Sequence, residues 1–110
     1  MVEERPVKLA MGQMRIEGGR LHENLARAAE MIARAGQEGC QIVVLPECLD
    51  LGWAHPSARQ LAAGIPGPTS DVLCRAASDG GLFVVAGLTE QAGSRVYNAA
   101  VLIDSSGQVL

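Results

Sequence analysis

Residues 41–53 read QIVVLPECLDLGW. Ile42, Val43, Val44 and Leu45 form an unbroken apolar run rich in β-branched residues, the composition of a buried strand. Pro46 has no amide hydrogen to continue a ladder. Glu47 follows at once, with Cys48 beside it and the only tryptophan, Trp53, a few residues on. One reading is a strand that ends and surfaces. The other is a carboxylate held for chemistry at a rigid strand end. Leu45 precedes a proline and is biased toward extended backbone, so Glu47 should leave the strand in a defined direction. In open α/β sheets ligands bind beyond the carboxyl ends of the strands. Apolar neighbours there would partly desolvate the carboxylate, a setting that suits a general base.

Upstream, the spacing of Leu21, Leu25, Ala28, Ile32 and Ala35 predicts a helix from about Arg20 to Gln37. Glu23 with Arg27, and Glu30 with Arg34, stand four apart as acid-before-base pairs on its polar side. Gly36 and Gly39 offer the stop. Val7–Met14 reads as an earlier strand, with Val7, Leu9, Met11 and Gln13 on one face. Strand, helix and strand in this order imply a parallel pair with a right-handed crossover.

Downstream, 49–67 is a long connection with a short helical piece around 57–63. Pro68, Thr69, Ser70 and Asp71 make a helix entrance, and Gly80-Gly81 its end. Leu82–Leu88 is nearly all apolar, so both faces of that strand are expected to be covered. A loop around Gly93 leads to a returning strand, 96–104, with Tyr97, Ala99, Val101 and Ile103 on one face. The sum is an α/β protein with a mixed sheet that starts β-α-β and carries helices on at least one face. Val109 and Leu110, after the turn residues 105–107, read as the start of another strand. The 110 residues are therefore expected to be the first part of a longer domain.

Composition narrows the function. Net charge is −3, the nine basic residues are scattered, and the aromatics are Trp53, Phe83 and Tyr97 alone. No basic patch with stacking residues exists, which argues against nucleic acid as a partner. No apolar run is long enough for a bilayer, so no membrane partner is expected. The N-terminus is acidic and lacks a secretory signal's apolar core. The cysteine count, Cys40, Cys48 and Cys74, is odd. These features together read as cytoplasmic.

Other candidates accompany Glu47. Cys48 is placed like a nucleophile, but adjacent residues at a strand end point apart, and a small packing thiol is the commoner role. Cys40 and Cys74 read as packing thiols too. Asp50, Trp53 and His55 lie in the loop beside Glu47 and would line a site there, or the surface. Glu90 follows the third strand as Glu47 follows the second. It would share one crevice with Glu47, or simply enter a hairpin. Asn98 is unusual in a strand and would satisfy buried backbone near the site. His22 and His55 form no ligand pattern with the cysteines, so no metal is expected. No glycine loop suits a phosphate or dinucleotide, so no cofactor is expected.

The stretches IVVLPE, IPGP, FVVAGLTE and YNAAVLIDSSGQVL, with the helix ENLARAAEMIARAGQEG before them, together resemble the nitrilase superfamily of carbon–nitrogen hydrolases. The resemblance spans Val7 to Leu110. It implies a four-layer α-β-β-α sandwich, longer than this chain, of which residues 1–110 would be the N-terminal portion. It also implies a Glu-Lys-Cys mechanism, a homo-oligomer, and a small amide, carbamoyl amide or nitrile substrate; the ECLDLGW loop and the lack of aromatic-rich insertions tilt this toward amides or carbamoyl amides. The glutamate of that triad carries over onto Glu47. Lys8, the only lysine, and the three cysteines match neither of the other two positions. The chain alone is thus expected to be inactive. A non-catalytic α/β binding module and an inactive remnant are the alternatives. A downstream lysine and cysteine would separate the enzyme from both.

Overall fold

The structure is a computed structural model that describes residues 3–110. Four strands and three helices follow in the order β1 (Leu9–Met11), α1 (Leu21–Gln37), β2 (Ile42–Val44), α2 (Ala58–Leu61), α3 (Pro68–Gly80), β3 (Phe83–Ala92) and β4 (Arg95–Ile103). The sheet runs β1-β2-β3-β4. Its first two pairings are parallel and its last is antiparallel. The β-α-β start and the mixed sheet are as read from the sequence.

Helices α1 and α3 share one face of the sheet. Leu25, Ala28, Ile32 and Ala35 of α1, with Leu73 and Ala77 of α3, close over Val43, Val84, Ala86, Leu88, Val101 and Ile103. Helix-forming periodicity and burial agree along α1. The two helices approach closely where Gly36 meets Gly80: a Cβ on Gly36 would lie 3.0 Å from the Gly80 carbonyl oxygen. Helix α3 opens with Pro68 in its first turn. The Ser70 hydroxyl accepts from the Gly67 N–H at 2.9 Å and satisfies an amide that the helix leaves free. Gly81 ends the helix in the left-handed conformation, φ 66°.

Several expectations are corrected. The ion pairs on α1 are not those four apart from Glu23 and Glu30. Arg20 pairs with Glu23, and Arg27 reaches back to Glu17 at 2.9 Å, while Arg34 lies near Glu38. Helical side chains lean toward the N-terminus, which carries Arg27 over the preceding loop rather than along its own helix. Strand β1 is shorter than predicted: it lies at the edge of the sheet and pairs with β2 over Leu9–Met11. Strand β3 is longer, because β4 pairs with it as far as Ala92 and Arg95 around a two-residue turn in which Gly93 has φ 61°. Glu90 therefore lies within β3 instead of ending it.

The second face of the sheet carries Leu9, Met11, Ile42, Val44, Phe83, Val85, Ala100 and Leu102. No described residue packs over it as the helices pack over the first. Met11 is 75% and Leu102 45% exposed. The expected cover on both faces of β3 is thus absent among the described residues. After β4, Asp104 organises a turn by accepting from the N–H groups of Ser106 and Gln108. Val109 then forms an isolated antiparallel bridge with Ile103.

Candidate active site

Beyond β2 the chain does not leave the sheet at Pro46. The Leu45 N–H donates to the Val85 carbonyl at 2.8 Å, the Pro46 carbonyl accepts from the Gly87 N–H at 3.1 Å, and the Leu49 N–H donates to the Gly87 carbonyl at 3.0 Å. Proline costs this ladder one donor but leaves its carbonyl in place. Residues 45–49 therefore ride along β3, and Glu47 is carried on a backbone fixed on both sides.

Gly87 makes that path possible. A Cβ there would lie 2.5 Å from the Glu47 Cα, 2.9 Å from the Cys48 nitrogen and 3.0 Å from the Pro46 oxygen. All three atoms are backbone, so no side chain can swing aside. A glycine inside an otherwise apolar strand marks the close approach of another backbone. The interruption in FVVAGLTE is thus the one local signal in the sequence for this close approach at Gly87.

Just past Glu47 the backbone is strained. Cys48 has φ 48°, a conformation that side chains bearing a Cβ seldom adopt. A buried polar network holds it. The Asp50 carboxylate accepts from the Leu51 N–H at 2.9 Å, the Thr89 N–H at 2.9 Å and the Thr89 hydroxyl at 3.0 Å. The Asn24 amide on α1 donates to the Asp50 carbonyl at 2.8 Å. Asp50 thus does not line a crevice. Its oxygens face Thr89, and they lock the 48–52 turn to β3 and α1.

The Glu47 side chain lies on the uncovered face, where Oε1 accepts from Asn98 Nδ2 at 2.5 Å. It is exposed, so the apolar surroundings expected of it are not supplied by the described residues. The Cys48 thiol, on the other side of Asn98, stands 3.6 Å from Oδ1. Burial pushes this thiol's pKa up, the Thr89 side chain draws it partly back, and the Asp50 and Glu47 carboxylates push it up further. A thiol so placed is a hydrogen-bond donor and a poor nucleophile.

Two recesses meet at Asn98. One, of about 420 Å³, is lined by Leu45, Glu47, Val85, Gly87, Asn98 and Ala100 among others. The other, of about 200 Å³, includes Cys48, Trp53, His55, Thr89, Tyr97 and Asn98. Trp53 stands at the second with 70% of its surface exposed. Glu90 lines neither. It falls on the β3 face shared by Val84, Ala86 and Leu88, opposite to Gly87, so the two carboxylates are not brought together. Among the described residues no group of three or more His, Cys, Asp or Glu side chains is arranged to hold a metal ion. No described helix is long and apolar enough to cross a membrane.

The chain is similar to known proteins. A nitrilase of Pyrococcus abyssi is 35% identical over 105 residues, which cover 92% of this chain and 40% of that protein. The omega-amidase NIT2 of Xenopus tropicalis is 33% identical over 89 residues, 80% of this chain and 32% of the relative. The amidase of Nesterenkonia sp. AN1, seen in complex with butyramide, superposes with a TM-score of 0.82 at 24% identity, over 94% of this chain and 41% of that one. A glutamate-to-leucine mutant of that amidase shows covalent addition of the acetamide moiety of fluoroacetamide at the active site cysteine. The chain thus spans less than half the length of these proteins. Residues 8–110 match the carbon-nitrogen hydrolase family, and on that match the chain belongs to the carbon–nitrogen hydrolases of the nitrilase superfamily.

Proposed function

We propose that this chain is the first part of a hydrolase that cleaves non-peptide carbon–nitrogen bonds, amides foremost, with Glu47 as its general base. The observation that carries the reading is the seat of Glu47. It lies past the carboxyl end of a parallel strand, on backbone pinned to β3, with its carboxylate held toward an open recess. A base must be positioned before it is useful. The family, the omega-amidase relatives and the covalent adduct in the Nesterenkonia amidase support the choice of chemistry.

In this mechanism Glu47 takes the proton of a cysteine thiol supplied by the rest of the domain. The thiolate attacks the carbonyl carbon of a small amide and forms a tetrahedral intermediate. A lysine ammonium, also from outside residues 1–110, stabilises the oxyanion. The carboxylic acid of Glu47 then protonates the departing nitrogen, the carbon–nitrogen bond breaks and ammonia leaves. Water, losing its proton to Glu47, attacks the thioester; the carbon–sulfur bond breaks, the sulfur takes that proton back from Glu47, and the carboxylic acid product leaves with the thiol regenerated. Lys8 cannot supply the ammonium: its Nζ donates to the Glu38 carbonyl, at the opposite end of the parallel strands. Cys40 lies at that same end, and Cys74 lies on α3, on the helix side of the sheet.

The uncovered apolar face is where the missing layers of a four-layer sandwich would pack. No metal or organic cofactor enters the scheme. The same reading includes a cytoplasmic homo-oligomer. The test is ammonia release from short aliphatic amides, carbamoyl amides and nitriles, by the complete enzyme and by residues 1–110 alone. We expect turnover of amides by the complete enzyme and none by the 110 residues. Hydrolysis by residues 1–110 that is lost on alkylating Cys48 would move the active site to that thiol.

A further inference from the structure

We propose that Asn98 is the positioning residue of the base: its amide holds Glu47 Oε1, the Cys48 thiol holds that amide, and Glu47 Oε2 is left to exchange protons. The inference rests on Glu47 being the base, as argued above.

The geometry allows one arrangement of the amide. An ionised carboxylate only accepts hydrogen bonds, so the –NH₂ end of Asn98 must face Glu47. The Oδ1 end then faces Cys48, 3.6 Å from the sulfur, and a neutral thiol donates to it. The raised pKa of Cys48 keeps that donor in its protonated form. Both partners stand on fixed backbone. Asn98 is paired with Thr89 across the β3–β4 ladder, and Thr89 is bonded to Asp50, two residues beyond Cys48. One closed loop of contacts thus joins Glu47, Cys48, Asp50, Thr89 and Asn98.

A neutral donor suits a group that must cycle between charged and uncharged forms. An amide N–H can donate to a carboxylate or to the carbonyl oxygen of a carboxylic acid, so Asn98 can hold Oε1 in both. No other described side chain bonds to the carboxylate of Glu47. This also gives Cys48 a role beside the base that is not nucleophilic.

The test is a double-mutant cycle on amide hydrolysis by the complete enzyme, with kcat and KM measured separately. Asn98→Ala should lower kcat by about 10-fold to 10²-fold, the loss that follows from misplacing a catalytic group by up to an ångström. KM should stay within about twofold, as expected of a group that does not bind the substrate. In a Glu47→Gln background the same substitution should cost no further activity, because Asn98 acts only through that carboxylate. Asn98→Asp keeps the shape, removes the N–H donor and should lose at least as much. Equal losses in both backgrounds would make Asn98 merely structural and overturn the proposal. A raised KM at unchanged kcat would make it a substrate contact and overturn it too. If Asn98→Ala turns over normally while Glu47→Gln does not, the positioning role fails and the base stands. Normal turnover by Glu47→Gln would remove the base itself.

Discussion

Gly87→Ala asks whether the path of the chain over β3 sets the position of the base. The new Cβ would sit 2.5 Å from the Glu47 Cα, where ordinary contact begins at 3.4 Å. The Glu47 backbone must then lift by about 0.9 Å, or β3 must yield by as much. Neither can give freely, because three backbone hydrogen bonds tie 45–49 to Val85 and Gly87, and Leu88 and Ala86 beside them are buried. Overpacking of this kind costs about 1–3 kcal/mol of stability. A displacement near one ångström at a catalytic group costs about 10² in rate. Gly87→Ala in the complete enzyme should therefore fold, unfold at a lower denaturant concentration, and turn over about 10²-fold more slowly with KM little changed. Denaturant titration and steady-state kinetics on one preparation separate the two effects. A variant with wild-type kcat and wild-type stability would refute the reasoning, since it would show that Glu47 does not depend on that contact.

Asp50→Ala should cost more than a surface substitution. It leaves the buried N–H and hydroxyl of Thr89 and the N–H of Leu51 unpaired, each such group being worth about 1–3 kcal/mol, and the unfolding midpoint reads the loss. Cys48 should label slowly with a thiol reagent at neutral pH, since its buried thiol has a raised pKa. That shift has a stability consequence of definite sign. A thiol whose pKa is higher folded than unfolded contributes stability that is complete below its unfolded value and fades as pH rises through the folded one. Unfolding midpoints measured on the alkaline side should fall less for Cys48→Ser than for the parent. Rapid labelling of Cys48 in the folded protein would contradict both expectations.

Local pattern carried most of the fold. The spacing of Leu25, Ala28, Ile32 and Ala35 placed α1, and the proline and hydroxyl residues at 68–71 placed the start of α3, because both signals are written within one element. The position of Glu47 was legible for a similar reason: strand run, proline and carboxylate are consecutive. Partners across the fold were not. That Asp50 is consumed by Thr89, and that Arg27 chooses Glu17 over Glu23, depend on which elements meet, and no periodicity records that. Asn98 stood out as a polar residue in a strand, but its bond to Glu47 comes from the β3–β4 register. The apolar run of β3 suggested cover on both faces, and only one is covered among the described residues, because a run of apolar residues records burial and not which element supplies it.

The central claim is that Glu47 is the base, and Glu47→Gln in the complete enzyme tests it most directly. The substitution keeps the shape and the approach of Asn98 while removing the basic oxygen. Amide turnover should fall at least about 10²-fold, the low end for a positioned general base, with the unfolding midpoint nearly unchanged. Near-normal turnover by a well-folded Glu47→Gln enzyme would contradict the claim and leave Glu47 as a strand-end carboxylate with no part in the chemistry.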